Sequence, residues 1–271
     1  MSKKTKAVVS VEDVQDRVVS ASESIDGQAA QHSRRGPGRV DVGGRIVLHT
    51  PQANELFTGK RPGLTGQSGK KSAGKSYMGL IGFAGKAMHI WTAARNNDPY
   101  ADFMLLKIEE EFGEIVKLVA STQQHVTSLL ESLEGIEMSA AVNVSPVEHD
   151  LKFICPWAYR AATLLSRYDR LALDGITCRR VGLIFGDDWF KTIVEPASRI
   201  RRWFALSKRW VNTGVSRKNV ESGDAVARRA VDIYREKFPE MLQIPESVLS
   251  GKQRASVSPV IVVAESADLA V

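Results

Sequence analysis

The clearest regularity along the chain is a series of apolar positions, Leu105, Ile108, Phe112, Ile115, Val119, Thr122, Val126, Leu129 and Leu133, recurring at alternating steps of three and four. Such spacing lays one apolar stripe along a helix, and its seven-residue repeat forms a heptad seam interrupted only by Thr122. Asp98-Pro99 predicts where this helix starts, since Asp caps free N–H groups and Pro fixes φ at the first helical position. Gly135 supplies a stop. The stripe serves either as the core face of a helix within one chain or as a contact between chains.

Alternation takes over elsewhere. Arg45-Ile46-Val47-Leu48-His49-Thr50 reads as a short strand, followed by a helix from Pro51 to Phe57 and, after a glycine-rich basic loop, a second helix from about Tyr77 to Arg95. Met138 to Val144 and Leu151 to Cys155 are further strand candidates. Pro156-Trp157 opens a helix through about Leu173, Arg180 to Phe185 is a possible strand, and Asp187 to about Leu206 is a helix that Pro196 bends or divides. A last helix covers Val220 to Phe238, ahead of Pro239. The prediction is a mainly α fold with a few short strands.

Composition limits what this fold can be. At 271 residues with 43% hydrophobic and 25% charged content, the chain can bury a substantial core without disulfides. Cys155 and Cys178 form no metal or redox motif and read as buried thiols. Residues 1–42, polar and basic at Arg34, Arg35 and Arg39, and residues 255–271 are expected to be disordered tails around a domain at 43–254. Neither a membrane-spanning run nor a signal peptide is evident, so a cytoplasmic protein is expected.

The net charge of +6 is less informative than its distribution. Lys60, Arg61, Lys70, Lys71 and Lys75 fall between Thr58 and Ser76 without an acid, and Arg199, Arg201, Arg202, Lys208, Arg209, Arg217 and Lys218 form a second acid-free stretch. Acids gather instead at Glu109, Glu110, Glu111 and Glu114. One face is thereby made attractive to phosphate.

Gly69-Lys70-Lys71-Ser72-Ala73-Gly74-Lys75-Ser76 spells the nucleotide-binding P-loop pattern, in which Lys75 would reach phosphate and Ser76 would hold magnesium. That loop must leave the end of a buried strand, yet the preceding Gly59 to Ser68 segment is polar and proline-bearing. Histidines 32, 49, 89, 125 and 149 are scattered, and no triad or zinc motif appears. An enzyme and a cofactor are therefore not expected.

A paired strand fits the DNA major groove and presents alternate side chains to base edges. If the Arg45 to Thr50 strand pairs with its copy in a homodimer, Arg45, Val47 and His49 share the base-reading face. Lys60, Arg61, Lys70, Lys71, Lys75 and Ser76 would then contact phosphate near the next helix, and Arg199, Arg201, Arg202, Lys208 and Arg209 would form a secondary basic patch. An alternative placement uses Leu151 to Cys155 as the ribbon strand, with Lys152 facing the groove.

Four blocks carry a family resemblance: Leu48-His49-Thr50-Pro51-Gln52-Ala53 to Leu56-Phe57-Thr58-Gly59, Ile90-Trp91-Thr92-Ala93-Ala94-Arg95 to Asp98-Pro99-Tyr100-Ala101-Asp102, Leu106-Lys107-Ile108-Glu109-Glu110, and Tyr159-Arg160-Ala161 to Leu165 and Tyr168-Asp169. Over about Gly44 to Arg254 the chain resembles the AcaB-like family encoded by conjugative plasmids and integrating conjugative elements. The resemblance implies a ribbon-helix-helix type regulator that promotes conjugative-transfer gene expression. Promoter DNA, a second copy of the chain and the transcription machinery are the expected partners. A structural or partitioning component of such an element is the competing reading.

Overall fold

Thr50 and Pro51 make the first corner of the computed structural model, which describes residues 43–60, 76–133 and 143–261. Strand β1 (Gly44–Leu48) ends just before Thr50, whose extended backbone and side-chain oxygen cap helix α1 (Pro51–Thr58) through the Ala53 N–H. Ile46 and Leu48 turn inward, while Arg45 and Val47 remain exposed. Expected strand residues 49 and 50 thus form the corner instead.

The partner of β1 lies in the same chain. Strand β2 (Val147–Leu151) pairs with it antiparallel, in a register that sets Arg45 opposite Asp150 and Val47 opposite Glu148. The expected strand at Leu151 to Cys155 is displaced: Leu151 is the last strand residue, and Cys155 is the N-cap of the following helix. Most of the Met138 to Val144 candidate lies outside the described residues, and its described end, Asn143 and Val144, is not strand.

The chain leaves α1 through Gly59, whose φ is 77° and where a Cβ would stand 2.6 Å from the backbone nitrogen of Gly79. Only glycine permits this approach of two backbones. Next to it, Lys60 and Tyr77 exchange backbone hydrogen bonds of 2.9 and 3.1 Å, closing a neck at the base of the glycine-rich segment. Helix α2 (Leu80–Arg95) follows and turns at Asn97, a non-glycine residue at φ 64°, into helix α3 (Pro99–Glu131).

Asp98 caps α3 by accepting from Tyr100 and Ala101 N–H at 2.8 and 3.2 Å. The heptad positions Leu105, Ile108, Ile115, Val119 and Val126 are all buried, against α2, against helix α4 (Pro156–Arg180) and against helix α6 (Glu195–Leu206). The seam therefore closes within one chain. It ends earlier than expected, because α3 stops at Glu131, and Gly135 lies outside the described residues.

Four other expectations are corrected. Helix α4 continues past Leu173 to Arg180, and turn residues replace the Arg180 to Phe185 strand. Pro196 does not break its helix: α5 (Gly186–Trp189) passes through a π-helical turn, Phe190–Val194, into α6, so the missing proline N–H is accommodated by a locally widened turn. The expected helix over Val220 to Phe238 is two helices, α7 (Arg217–Ser222) and α8 (Ala225–Lys237), separated by left-handed Gly223 and the Asp224 cap. Helix α9 (Glu246–Leu249) is the last among the described residues.

The core is centred where α2, α3 and α6 meet. Trp203 packs on Phe83 at 4.7 Å between ring centroids, and its indole N–H donates to the Ile108 carbonyl at 2.9 Å. Both the ring's area and its polar atom are thus satisfied. The ordered chain continues beyond Arg254: Ala255 is 5% exposed, Ser256 bonds the Glu109 carboxylate, and the Val257 carbonyl accepts from Trp157. The 1–42 segment lies outside the described residues.

Candidate nucleic-acid interface

The two-stranded ribbon is fixed to the body by Asp169 of α4. Its carboxylate accepts from the His49 N–H, the Thr50 N–H and the Thr50 hydroxyl at 2.8, 2.8 and 2.7 Å. Asp169 is 3% exposed, so these charge-assisted bonds replace its lost hydration. From the other strand, His149 stacks on Phe57 at 4.0 Å and pairs with Asn54 Oδ1 at 2.8 Å, and desolvation holds its pKa below the ordinary imidazole value.

This anchoring decides what the ribbon displays. Arg45 and Val47 share the outer face as expected, but Glu148 and Asp150 share it with them, and Arg45 forms a 2.8 Å ion pair with Glu148. Two carboxylates beside one arginine give the ribbon of a single chain an acidic outer face, which opposes approach to phosphate. His49 is placed apart from this face. Its backbone N–H bonds Asp169, its carbonyl accepts from Asn143, and its Nδ1 is buried.

The basic segments behave differently, because the fold brings them together. Arg201 on α6 lies over the ring of Tyr77 at 5.3 Å, and Tyr77 in turn forms the neck with Lys60. The Tyr77 hydroxyl donates to Glu55 at 2.7 Å; burial and that carboxylate push its pKa up to about 12, so it stays a neutral donor. The neck beside Lys60 and the Arg201 position of α6 are thereby brought together. Lys60 and Ser76 are both exposed there, while Arg61, Lys70, Lys71 and Lys75 lie outside the described residues.

Along α6 and the 3-10 turn after it, Arg202, Ala205, Lys208 and Arg209 are the outward positions, spaced as one helical ridge. Arg199, Arg202 and Arg209 border a notch of about 200 Å³ with Trp203 and Leu206 at its floor and Glu111 on its rim. Arg199 pairs with Glu111 at 3.5 Å and Arg209 with Glu240 at 3.2 Å, both half-exposed contacts of the kind a phosphate can displace at little cost. Arg202 and Lys208 make no ion pair among the described residues.

The P-loop spelling meets no matching geometry. Ser76 is followed by Tyr77 in the antiparallel neck, and α2 begins only at Leu80 behind a Gly79 cap. Ser76 is therefore not presented at a helix N-terminus, and Lys75 lies outside the described residues. Among the described residues, no group of His, Cys, Asp or Glu is arranged to hold a metal ion, and no helix is long and apolar enough to cross a membrane.

The family model described as "Transcriptional regulator AcaB" matches residues 36–262. The chain belongs to the AcaB family of transcriptional regulators. Among solved structures, the crystal structure of selenomethionine-containing AcaB from uropathogenic E. coli is similar at a TM-score of 0.50, with 13% identity, covering 79% of this chain and 95% of that one. At that identity the likeness concerns the fold, and it supports the mainly helical AcaB architecture with its small strand pair. No curated protein sequence matches the chain. The AcaB match reaches past Arg254, in agreement with the packed segment at Ala255 to Val257.

Sequence reasoning missed Asp169 as the ribbon anchor and Tyr77 as the hub of the basic surface. Each had a signal only in hindsight of the fold: Asp169 lies on an apolar helix face beside Tyr168, and Tyr77 is the aromatic residue that ends the lysine-rich stretch. Glu148 and Asp150 were missed because Val147 to Leu151 has apolar residues only at its ends.

Proposed function

We propose that this AcaB-family chain regulates transcription by binding duplex DNA as a homodimer, and that it activates conjugative-transfer genes of the element that encodes it. The observation carrying this reading is the contact of Arg201 with Tyr77, which sets the neck beside Lys60 against α6, the helix that carries the second basic stretch. Lys60, Ser76, Arg201, Arg202, Lys208 and Arg209 contact phosphate, and the Arg199, Arg202, Arg209 notch receives one phosphate group. Arg45 and Val47 read bases only in an assembly that draws Glu148 away from Arg45.

Fluorescence anisotropy with promoter fragments of the element, repeated across a salt series, tests the reading. The combined Arg202→Ala, Lys208→Ala and Arg209→Ala variant should bind at least roughly tenfold more weakly, and its salt slope should flatten by about 0.9 per lost contact. Unchanged affinity and slope would remove α6 from the interface. Equal binding of unrelated duplex at moderate salt would instead identify a non-specific structural or partitioning component. The mass of the free protein in solution decides between monomer and dimer.

A further inference from the structure

A second polar site lies at the turn between α2 and α3. Asp98 is 2% exposed and its Oδ1 is occupied by the cap bonds to α3, whereas its Oδ2 is buried without a hydrogen-bond partner. The indole N–H of Trp210 approaches closely enough to favour the carboxylate but completes no hydrogen bond, and the Thr213 hydroxyl is also buried without a partner. A cavity of about 150 Å³ opens here between α2 and the 210–215 segment, bordered by His89, Thr92, Asn96, Asp98, Asn212 and Gly214.

Buried polar atoms are almost always paired, and the unpaired Oδ2 of Asp98, on a residue that lines a cavity, marks a missing partner. The cavity's volume corresponds to about five water molecules at the roughly 30 Å³ each occupies in the liquid. The nearest other carboxylate, Asp102, is already neutralised by Arg217 and Arg254 at 2.7 and 2.8 Å. Asp98 is then the one negative group at the cavity wall whose charge is not matched by a cation in an ion pair.

We infer that this cavity binds a small organic ammonium ion, whose N–H donors satisfy Asp98 Oδ2 and whose charge is matched by that carboxylate. Asp98 accepts from the ammonium, and the polar rim of Asn96 and Asn212 admits a short hydroxyalkyl chain. The bound ion ties the 210–215 segment to the α2–α3 turn, where Asn97 holds left-handed backbone and accepts from Arg217 at 2.6 Å. The segment follows Lys208 and Arg209 directly, but the inference does not depend on DNA binding.

Ethanolammonium chloride titrated into the full chain at about pH 8 tests this, with sodium chloride and the neutral isostere ethylene glycol as controls. The expected result is a saturable rise in Tm of about 4 °C. It should be absent with both controls and at least roughly tenfold weaker in Asp98→Asn, which retains a capping oxygen. In a nitrogen–proton spectrum the Trp210 indole signal, assigned with Trp210→Phe, should shift on titration. His89→Phe, at an exposed helix position, should block the effect without altering the cap. An equal rise with ethylene glycol would show a hydrated cavity only, and equal binding by Asp98→Asn or an unmoved Trp210 signal would overturn the inference.

Discussion

Asp98 shows how one side chain can serve geometry at the expense of its own charge. Burial pushes its pKa from 3.8 up to about 7, against the opposing effect of the cap bonds. Between those values the folded chain holds a proton that the unfolded chain has released. Stability from this group is therefore complete below the lower value and is lost as pH rises through the upper one. Urea denaturation from about pH 5 to pH 8 should show stability falling in the natural chain and a flatter profile in Asp98→Asn, since one pKa unit corresponds to about 1.4 kcal/mol. Parallel profiles would exclude the shift. The capping role itself was readable from Asp98-Pro99, but the burial was not, because it depends on Trp210 and the segment after it.

Helix packing at the element scale turns on Gly175. A Cβ there would stand 2.6 Å from Ile193 Cδ1, so the glycine lets the π-helical turn lie directly on α4. Ile193 is 2% exposed, so its Cδ1 methyl can yield only by shifting within the interior. Gly175→Ala should cost about 1–3 kcal/mol through overpacking, partly offset by alanine's better helix propensity. Adding Ile193→Val, which removes the clashing methyl, should recover most of the loss in a double-mutant cycle of urea midpoints. Additive losses would place the strain elsewhere. Periodicity gave α3 its stripe because Leu105, Ile108 and Ile115 report a face directly. It misjudged β2, where the only apolar residues are Val147 and Leu151, and merged α7 with α8 although Gly223-Asp224 marks a stop and a start.

At the scale of the whole molecule, the C-terminal segment is closed onto the centre by charge. Asp102 is fully buried on α3 and takes Arg217 on one oxygen and Arg254 on the other, while Arg254 also bonds the carbonyls of Ala94 and Pro259. Breaking half of such a cluster leaves a buried carboxylate short of a partner. Arg254→Ala should cost about 3 kcal/mol in a urea titration and loosen the 255–261 segment in hydrogen exchange. A loss below about 0.5 kcal/mol would show the clamp to be dispensable. The acid-free stretch from Pro196 to Lys218 announced basic residues, yet Arg217 within it is 5% exposed and belongs to this clamp.

Sequence alone determined the helical class, the long apolar stripe, the capped starts at Thr50-Pro51 and Asp98-Pro99, the two basic stretches and the family resemblance. These are local or periodic properties, and the chain writes them within a few residues. Tertiary structure alone decided that β1 pairs with β2 about a hundred residues away, that Glu148 and Asp150 join Arg45 on its outer face, and that Tyr77 and Arg201 bring the two basic stretches together. Composition cannot show which charges become neighbours, because that depends on contacts between elements distant in the chain. The same physics separates Arg217 from Arg202: both are arginines in one acid-free run, but one faces Asp102 in the interior and the other faces solvent.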